Sequence, residues 1–177
     1  MNIEIRRERV GDFEAVDRII RDAFLSAEHA DGNEHELVAR LRRSAEFVAD
    51  LSLVAEVEGE IVGHLILTPI VIVGPTGKIN PSLALAPVSV DPKYQKQGIG
   101  RELIMNCHKK AKSLGFKSII LLGHPEYYPK FGYEKASLYK INPPFEVPDE
   151  AFMVIDLVGD GLKGISGTVK YPNSFGI

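Results

Sequence analysis

Cysteine is almost missing: Cys107 is the only one in 177 residues. A lone thiol excludes a disulfide within the chain and a cysteine-built zinc site, and it fits a reducing compartment. Long apolar runs are missing too. No segment reaches the ~18 uninterrupted apolar residues of a membrane span, and charges interrupt the N-terminal stretch Met1 to Val16. A soluble, untargeted, cytoplasmic protein with no membrane partner is expected. Neither sign of charge dominates, with 21 Lys and Arg against 24 Asp and Glu and a formal net charge of −3. The lack of a basic excess argues against nucleic acid, and there is no acidic tail. Internal repeats and low-complexity tracts are also lacking. What remains is a globular chain, 45% hydrophobic, with enough apolar material for one sizeable core. Its length favours one domain over residues 1–177, and a small molecule or a protein is the default partner.

The pattern of apolar residues gives the order of elements. Ile3 and Ile5 alternate with charges as in a first strand, and Asp12 opens a helical stripe of Phe13, Val16, Ile20 and Phe24. Asn33 with Glu36 three places on resembles a capping box for a second helix ending near Ser44. The polar stretch Ser26 to Gly32 between them reads as a loop. Leu51 to Val57 and Ile61 to Val73 flank Glu58-Gly59-Glu60, a hairpin signal, and Gly74 to Gly77 turns the chain into a third strand over Leu83 to Val90. An antiparallel three-strand meander is the expected result. Ile99, Leu103, Cys107, Ala111 and Leu114 then form a long helical stripe closed by Gly115, before a short apolar strand, Phe116 to Leu122. Strand, helix and strand in succession predict a parallel pair joined by a right-handed crossover. Ala151 to Val158 and Ile165 to Tyr171 are weaker strand candidates in the tail.

Between the third meander strand and the long helix lies Val90-Asp-Pro-Lys-Tyr-Gln-Lys-Gln-Gly-Ile-Gly-Arg101. A helix that starts on glycines after a strand offers unpaired N–H groups and a positive dipole end, which suits a phosphate or pyrophosphate. The dinucleotide fingerprint G-x-G-x-x-G fails, because Leu103 occupies its third glycine position. A P-loop fails as well, since neither Gly77-Lys78 nor Gly164 sits in G-x-x-x-x-G-K-[ST]. On the residues alone, a helix start in some other α/β protein stays open.

Gln95-Lys96-Gln97-Gly98-Ile99-Gly100 matches the Q/R-x-x-G-x-G/A signature of the GCN5-related N-acetyltransferase (GNAT) superfamily, and Tyr128-Pro-Lys-Phe-Gly-Tyr133 resembles its Y-x-x-x-G-F/Y segment. The segments Leu122 to Tyr133, Val62 to Pro69 and Ser166 to Pro172 resemble the YhbS-like acetyltransferase subgroup. The resemblance implies an α/β (α+β) acyl-CoA N-acyltransferase fold: a mixed, mostly antiparallel sheet, splayed between strands four and five and flanked by helices. Its core would span residues 1–135, with strands in 136–177 completing the sheet and the acceptor side. It further implies acetyl transfer from acetyl-coenzyme A to a primary amine, with no metal and with a homodimer as an option. Val88, Ser89 and Val90 would bond the pantetheine arm, and Gln95, Lys96, Gln97, Gly98, Ile99, Gly100 and Arg101 the pyrophosphate.

Tyr128 stands where many members carry a tyrosine that protonates the coenzyme A thiolate, with Tyr127 as its rival. The fourth strand holds no acid, unlike members that keep a glutamate there, so Glu34, His64 and His124 are the candidate bases. The loop Ser26 to Gly32, the second helix and the tail after Lys135 are expected to line the acceptor side. A non-catalytic acyl-coenzyme A sensor would keep the glycine turn without turnover.

Overall fold

The protein is described by a computed structural model covering residues 1–25, 27 and 32–177. The described residues form β1 (Ile3–Arg7), α1 (Phe13–Phe24), α2 (Glu34–Arg42), β2 (Ser52–Val57), β3 (Glu60–Val73), β4 (Ile79–Val90), α3 (Ile99–Ser113) and β5 (Ser118–Leu122). The tail adds β6 (Glu134–Lys135), β7 (Ile141–Asn142), β8 (Phe152–Asp156) and β9 (Gly167–Lys170). Hydrogen-bonded neighbours run β1-β2-β3-β4-β5-β8-β6, with β9 beside β3 and β7. Most of the pairings are antiparallel, while β4 with β5 and β7 with β9 are parallel. The β4 to β5 ladder covers only Leu83 with Ile119 and Ala84 with Ile120, and β4 runs on to Val90, giving the splayed pair expected of strands four and five.

Local chemistry explains the turns. Glu58 and Gly59 both take positive φ, 50° and 80°, the two left-handed residues that a tight hairpin with right-handed twist requires. Asp12 fixes the start of α1. Its carboxylate accepts from the Arg6 guanidinium at 2.7 and 3.0 Å and from the Arg9 N–H at 2.8 Å, tying β1 to the helix. Asn33 does occupy the N-cap of α2, but its side chain makes no cap hydrogen bond, so the expected capping box does not form. The helix ends at Arg42, two residues before Ser44, where the Arg43 and Ser44 N–H groups bond three residues back to Arg40 and Leu41. β4 begins four residues before the expected Leu83. The loop expected over Ser26 to Gly32 lies mostly outside the described residues.

The chain divides into two compact units, residues 1–67 with 87–110, and residues 68–86 with 111–177. In the first, Val16, Ile19 and Ile20 of α1, Val38 and Leu41 of α2, and Ile99, Leu103 and Cys107 of α3 are buried along with the apolar residues of β2 and β3. Gly63 lets α3 approach β3 closely. A Cβ there would stand 3.0 Å from Ile99 Cγ2 and from Leu103 Cδ1.

In the second unit Ile70, Ile72, Ala84, Ile120, Ala136, Ile141, Phe152, Val154, Leu162 and Val169 form a core covered by Tyr139, Tyr171 and Phe175. Gly167 begins β9 with φ 134°, and a Cβ there would collide with the Val73 carbonyl. That crowding gives the Ser166 to Pro172 segment a physical reason for its glycine.

Candidate functional site

The segment after β4 is braced by its own side chains. Asp91 Oδ1 accepts from the Lys93 N–H at 3.0 Å, and the Tyr94 N–H bonds the Asp91 carbonyl at 2.8 Å, closing a single 3-10 turn over Pro92–Tyr94. Gln95 Nε2 donates to the Val90 carbonyl and Gln97 Nε2 to the Lys93 carbonyl, both at 3.2 Å. The two glutamines thus hold the loop with their side chains and leave ligand contacts to the backbone.

Lys96 and Gly98 sit at φ 61° and 90°. A lysine in the left-handed region is uncommon and is the kind of local strain that gathers at functional sites. The first bond of α3 runs from the Glu102 N–H to the Gly98 carbonyl at 3.0 Å, so the helix offers no acceptor to the N–H groups of Ile99, Gly100 and Arg101. A Cβ at Gly98 would meet nothing within 4 Å. Open space at Gly98, next in the chain to unused donors at the positive end of a helix dipole, suits an anionic group.

On β4, Val88 and Val90 are partly exposed and Ser89 is buried. Ser89 Oγ has no hydrogen-bond partner among the described residues.

In the second unit, β5 leads through Gly123 and His124 into a 3-10 turn over Tyr128–Phe131, which Gly132 closes with φ 104°. Tyr128 packs edge-on against Tyr127 at 5.1 Å and Tyr133 at 5.8 Å between ring centres. The Lys130 ammonium lies 4.1 Å over the Tyr127 ring, and burial raises the Tyr127 phenol above its ordinary pKa. The His124 side chain is exposed. Its carbonyl accepts from the N–H groups of Tyr127 at 3.1 Å and Tyr128 at 3.4 Å, so its backbone shapes the turn.

Glu34 opens α2 and is partly buried, and its Oε2 is a buried oxygen with no hydrogen-bond partner among the described residues. His64 is different. Wholly buried on β3, it places Nε2 3.0 Å from Ser52 Oγ and 3.5 Å from Glu8 Oε2. The Ser52 hydroxyl donates to Glu8 Oε1 at 3.0 Å, and the Arg42 guanidinium grips the same carboxylate at 2.6 and 3.1 Å. A hydroxyl has one proton and that of Ser52 goes to Glu8, which assigns the imidazole proton to Nε2 and the lone pair to Nδ1.

Glu8, Arg42 and Ser52 escaped the sequence reading. Nothing in spacings of 34 and 44 residues signals that they meet. Cys107 is buried, and its thiol is pushed far up by that burial, in keeping with a core position.

Burial pulls the His64 pKa down from its ordinary 6.5 to about 4, with Glu8 opposing and Arg42 assisting. Between those values the unfolded chain binds a proton that the folded imidazole refuses, so acidification from pH 6.5 toward 4 costs stability. The difference amounts to about 3 kcal/mol at most, at about 1.4 kcal/mol per pH unit. His108, lowered to about 4 by burial, steepens the same limb. In denaturant titrations His64→Gln is expected to lose less stability than the unsubstituted protein between pH 7 and 4.5. Parallel curves would mean that folded His64 titrates normally.

Among the described residues no group of three or more His, Cys, Asp and Glu could hold a metal ion, and no helix is long and apolar enough to cross a membrane.

A mixed sheet whose fourth and fifth strands pair in parallel over two residues, and a strand that passes through a glycine turn into a helix with unused N–H groups, match the fold expected of an acyl-CoA acyltransferase. The chain belongs to the acetyltransferase (GNAT) family, whose profile matches residues 13–133. It is 30% identical over 172 residues, 97% of each chain, to the protein described as uncharacterized N-acetyltransferase YhbS of Escherichia coli K12. YjhQ of the same organism, also described as an uncharacterized N-acetyltransferase, is 35% identical over 120 residues, 66% of this chain and 65% of that one. Two solved structures extend the likeness. YhbS from Escherichia coli in complex with CoA superposes with a TM-score of 0.88 at 29% identity, covering 100% of this chain and 93% of that one. A GNAT family acetyltransferase from Brucella melitensis in complex with acetyl-CoA gives 0.79 at 28% identity and 98% coverage of both.

Proposed function

We propose that the protein transfers the acetyl group of acetyl-coenzyme A to a primary amine by direct attack of the amine nitrogen on the thioester carbonyl. The observation that carries this reading is the set of unused N–H groups at Ile99, Gly100 and Arg101 beside the open space at Gly98. Two similar structures hold CoA and acetyl-CoA, which supports assigning that donor set to the pyrophosphate. The backbone of Val88, Ser89 and Val90 takes the pantetheine arm, and the side chains of Gln95 and Gln97 keep the loop in shape with Lys96 in the left-handed region between them. Attack forms the C–N bond, collapse breaks the C–S bond, the thiolate takes a proton from Tyr128 and the amine gives one up.

Glu34 is the favoured acceptor for that amine proton, directly or through water, because Oε2 is a buried carboxylate oxygen with no partner among the described residues. His64 is disfavoured because it is wholly buried and burial lowers its pKa to about 4, which leaves the Nδ1 lone pair a weak base with no exposed face toward an amine. His124 has only its exposed ring to offer. A reducing, cytoplasmic setting suits the single buried cysteine.

Thermal unfolding with acetyl-coenzyme A, followed by thiol release across a panel of polyamines, aminoglycosides and lysine peptides, tests the reading. Donor at ~100 Kd should raise the midpoint by roughly 5–11 °C, and at least one amine should release thiol. A midpoint shift with no turnover on any amine would favour an acyl-coenzyme A sensor. With no shift at all, the assignment of the glycine turn fails.

A further inference from the structure

Gly123 carries no side chain, although its backbone does not require glycine, since its φ lies outside the left-handed region. The reason lies in what it touches. A Cβ there would stand 2.5 Å from Tyr128 Cε2, 2.9 Å from Tyr128 Cδ2 and 3.2 Å from Leu121 Cδ1. The glycine cannot easily retreat. Its N–H donates to the Ala151 carbonyl at 2.9 Å, and Leu122 before it is paired with Phe152 across the β5 to β8 ladder. Nor is the Tyr128 ring free to swing, for it meets Tyr127 on one edge and the buried Tyr133 on another.

We propose that Gly123 is a positioning residue: the missing side chain is the seat on which the Tyr128 ring lies, and it sets where the phenol hydroxyl is delivered. The role rests on the reading of Tyr128 as the proton donor to the departing thiolate. Carbon atoms in contact keep about 3.5–4.0 Å, so a methyl group at Gly123 must push the ring edge away by about 1 Å. Displacements of that size can cost about 100-fold in rate.

The test is Gly123→Ala, made in the parent protein and in the Tyr128→Phe and Tyr128→Ala backgrounds. With acetyl-coenzyme A and the best amine of the panel, Gly123→Ala is expected to lower kcat by about 10–100-fold. Its affinity for acetyl-coenzyme A should stay within about twofold, because the backbone donors assigned to the coenzyme are untouched. In the Tyr128→Phe background it should cause no further loss of kcat. A parental kcat in Gly123→Ala, or an equal loss in both backgrounds, would overturn the positioning role.

If Tyr128→Phe itself keeps full kcat, the reading of Tyr128 as acid falls, and the seat is judged by stability alone. Gly123→Ala should lower the unfolding midpoint when Tyr128 is present and leave it unchanged in Tyr128→Ala, which would also rescue a Gly123→Ala protein that fails to fold. Equal lowering with and without the ring would overturn the seat.

Discussion

Gly100→Val is expected to weaken acetyl-coenzyme A binding by about 100-fold or more and to leave the fold intact. Gly100 lies in the first turn of α3 and is not among the glycines with positive φ, so the backbone accepts a branched residue. In a helix valine is no worse than glycine. The cost therefore falls on the ligand, whose pyrophosphate would have to approach N–H groups now covered by an isopropyl group. Hydrogen bonds to charged groups contribute about 1.5–3 kcal/mol each. Two such bonds lost, at about 1.4 kcal/mol per tenfold, correspond to roughly 10²- to 10⁴-fold in Kd.

Gly98→Val would be a poorer probe, since φ 90° at that position would mix backbone strain with lost binding. Calorimetric Kd together with the unfolding midpoint without ligand separates the two effects. A raised Kd with a parental midpoint is the expected pair. An unchanged Kd would place the pyrophosphate elsewhere.

The sequence exposed those features that depend on neighbours along the chain. The stripe Ile99, Leu103, Cys107 and Ala111 repeats at helical spacing and is buried, whereas Leu114, expected to continue it, is exposed just past the end of α3. The glycine turn was legible because a helix start on glycine is a local matter of φ and of unpaired N–H groups. The two-residue strands β6 and β7 were not, because two residues carry no periodicity and those of β6 are exposed. The early start of β4 was hidden by Ile79-Asn-Pro-Ser82, whose mixed polarity reads as a turn although Asn80 and Ser82 are buried.

The candidate base residues show the limit most clearly. A histidine in an apolar strand gives no hint in sequence of whether it faces substrate or a buried carboxylate. Only the meeting of Glu8, Arg42, Ser52 and His64, drawn from four separate elements or turns, reveals a committed, neutral imidazole.

Replacing Tyr128 with phenylalanine isolates the proton itself. The ring keeps its contacts with Gly123, Tyr127 and Tyr133, so only the hydroxyl is lost. General acid catalysis contributes typically about 10²- to 10⁴-fold. A thiolate whose acid has a pKa of about 8.5 leaves fairly readily without help, and a phenol near 10 is a weak donor to it. The expected fall in kcat is therefore at the lower end, about 100-fold, with little change in the Kd for acetyl-coenzyme A, because the hydroxyl's contact with the sulfur strengthens only as the thiolate departs.

Tyr127→Phe is the control. Its phenol is held above the ordinary pKa by burial, and its ring is covered by Lys130, so kcat should stay within about twofold if Tyr128 alone supplies the proton. A loss confined to Tyr127→Phe would exchange the two roles. Losses in both variants, with no further loss when they are combined, would mean that the pair delivers one proton through a shared hydrogen bond.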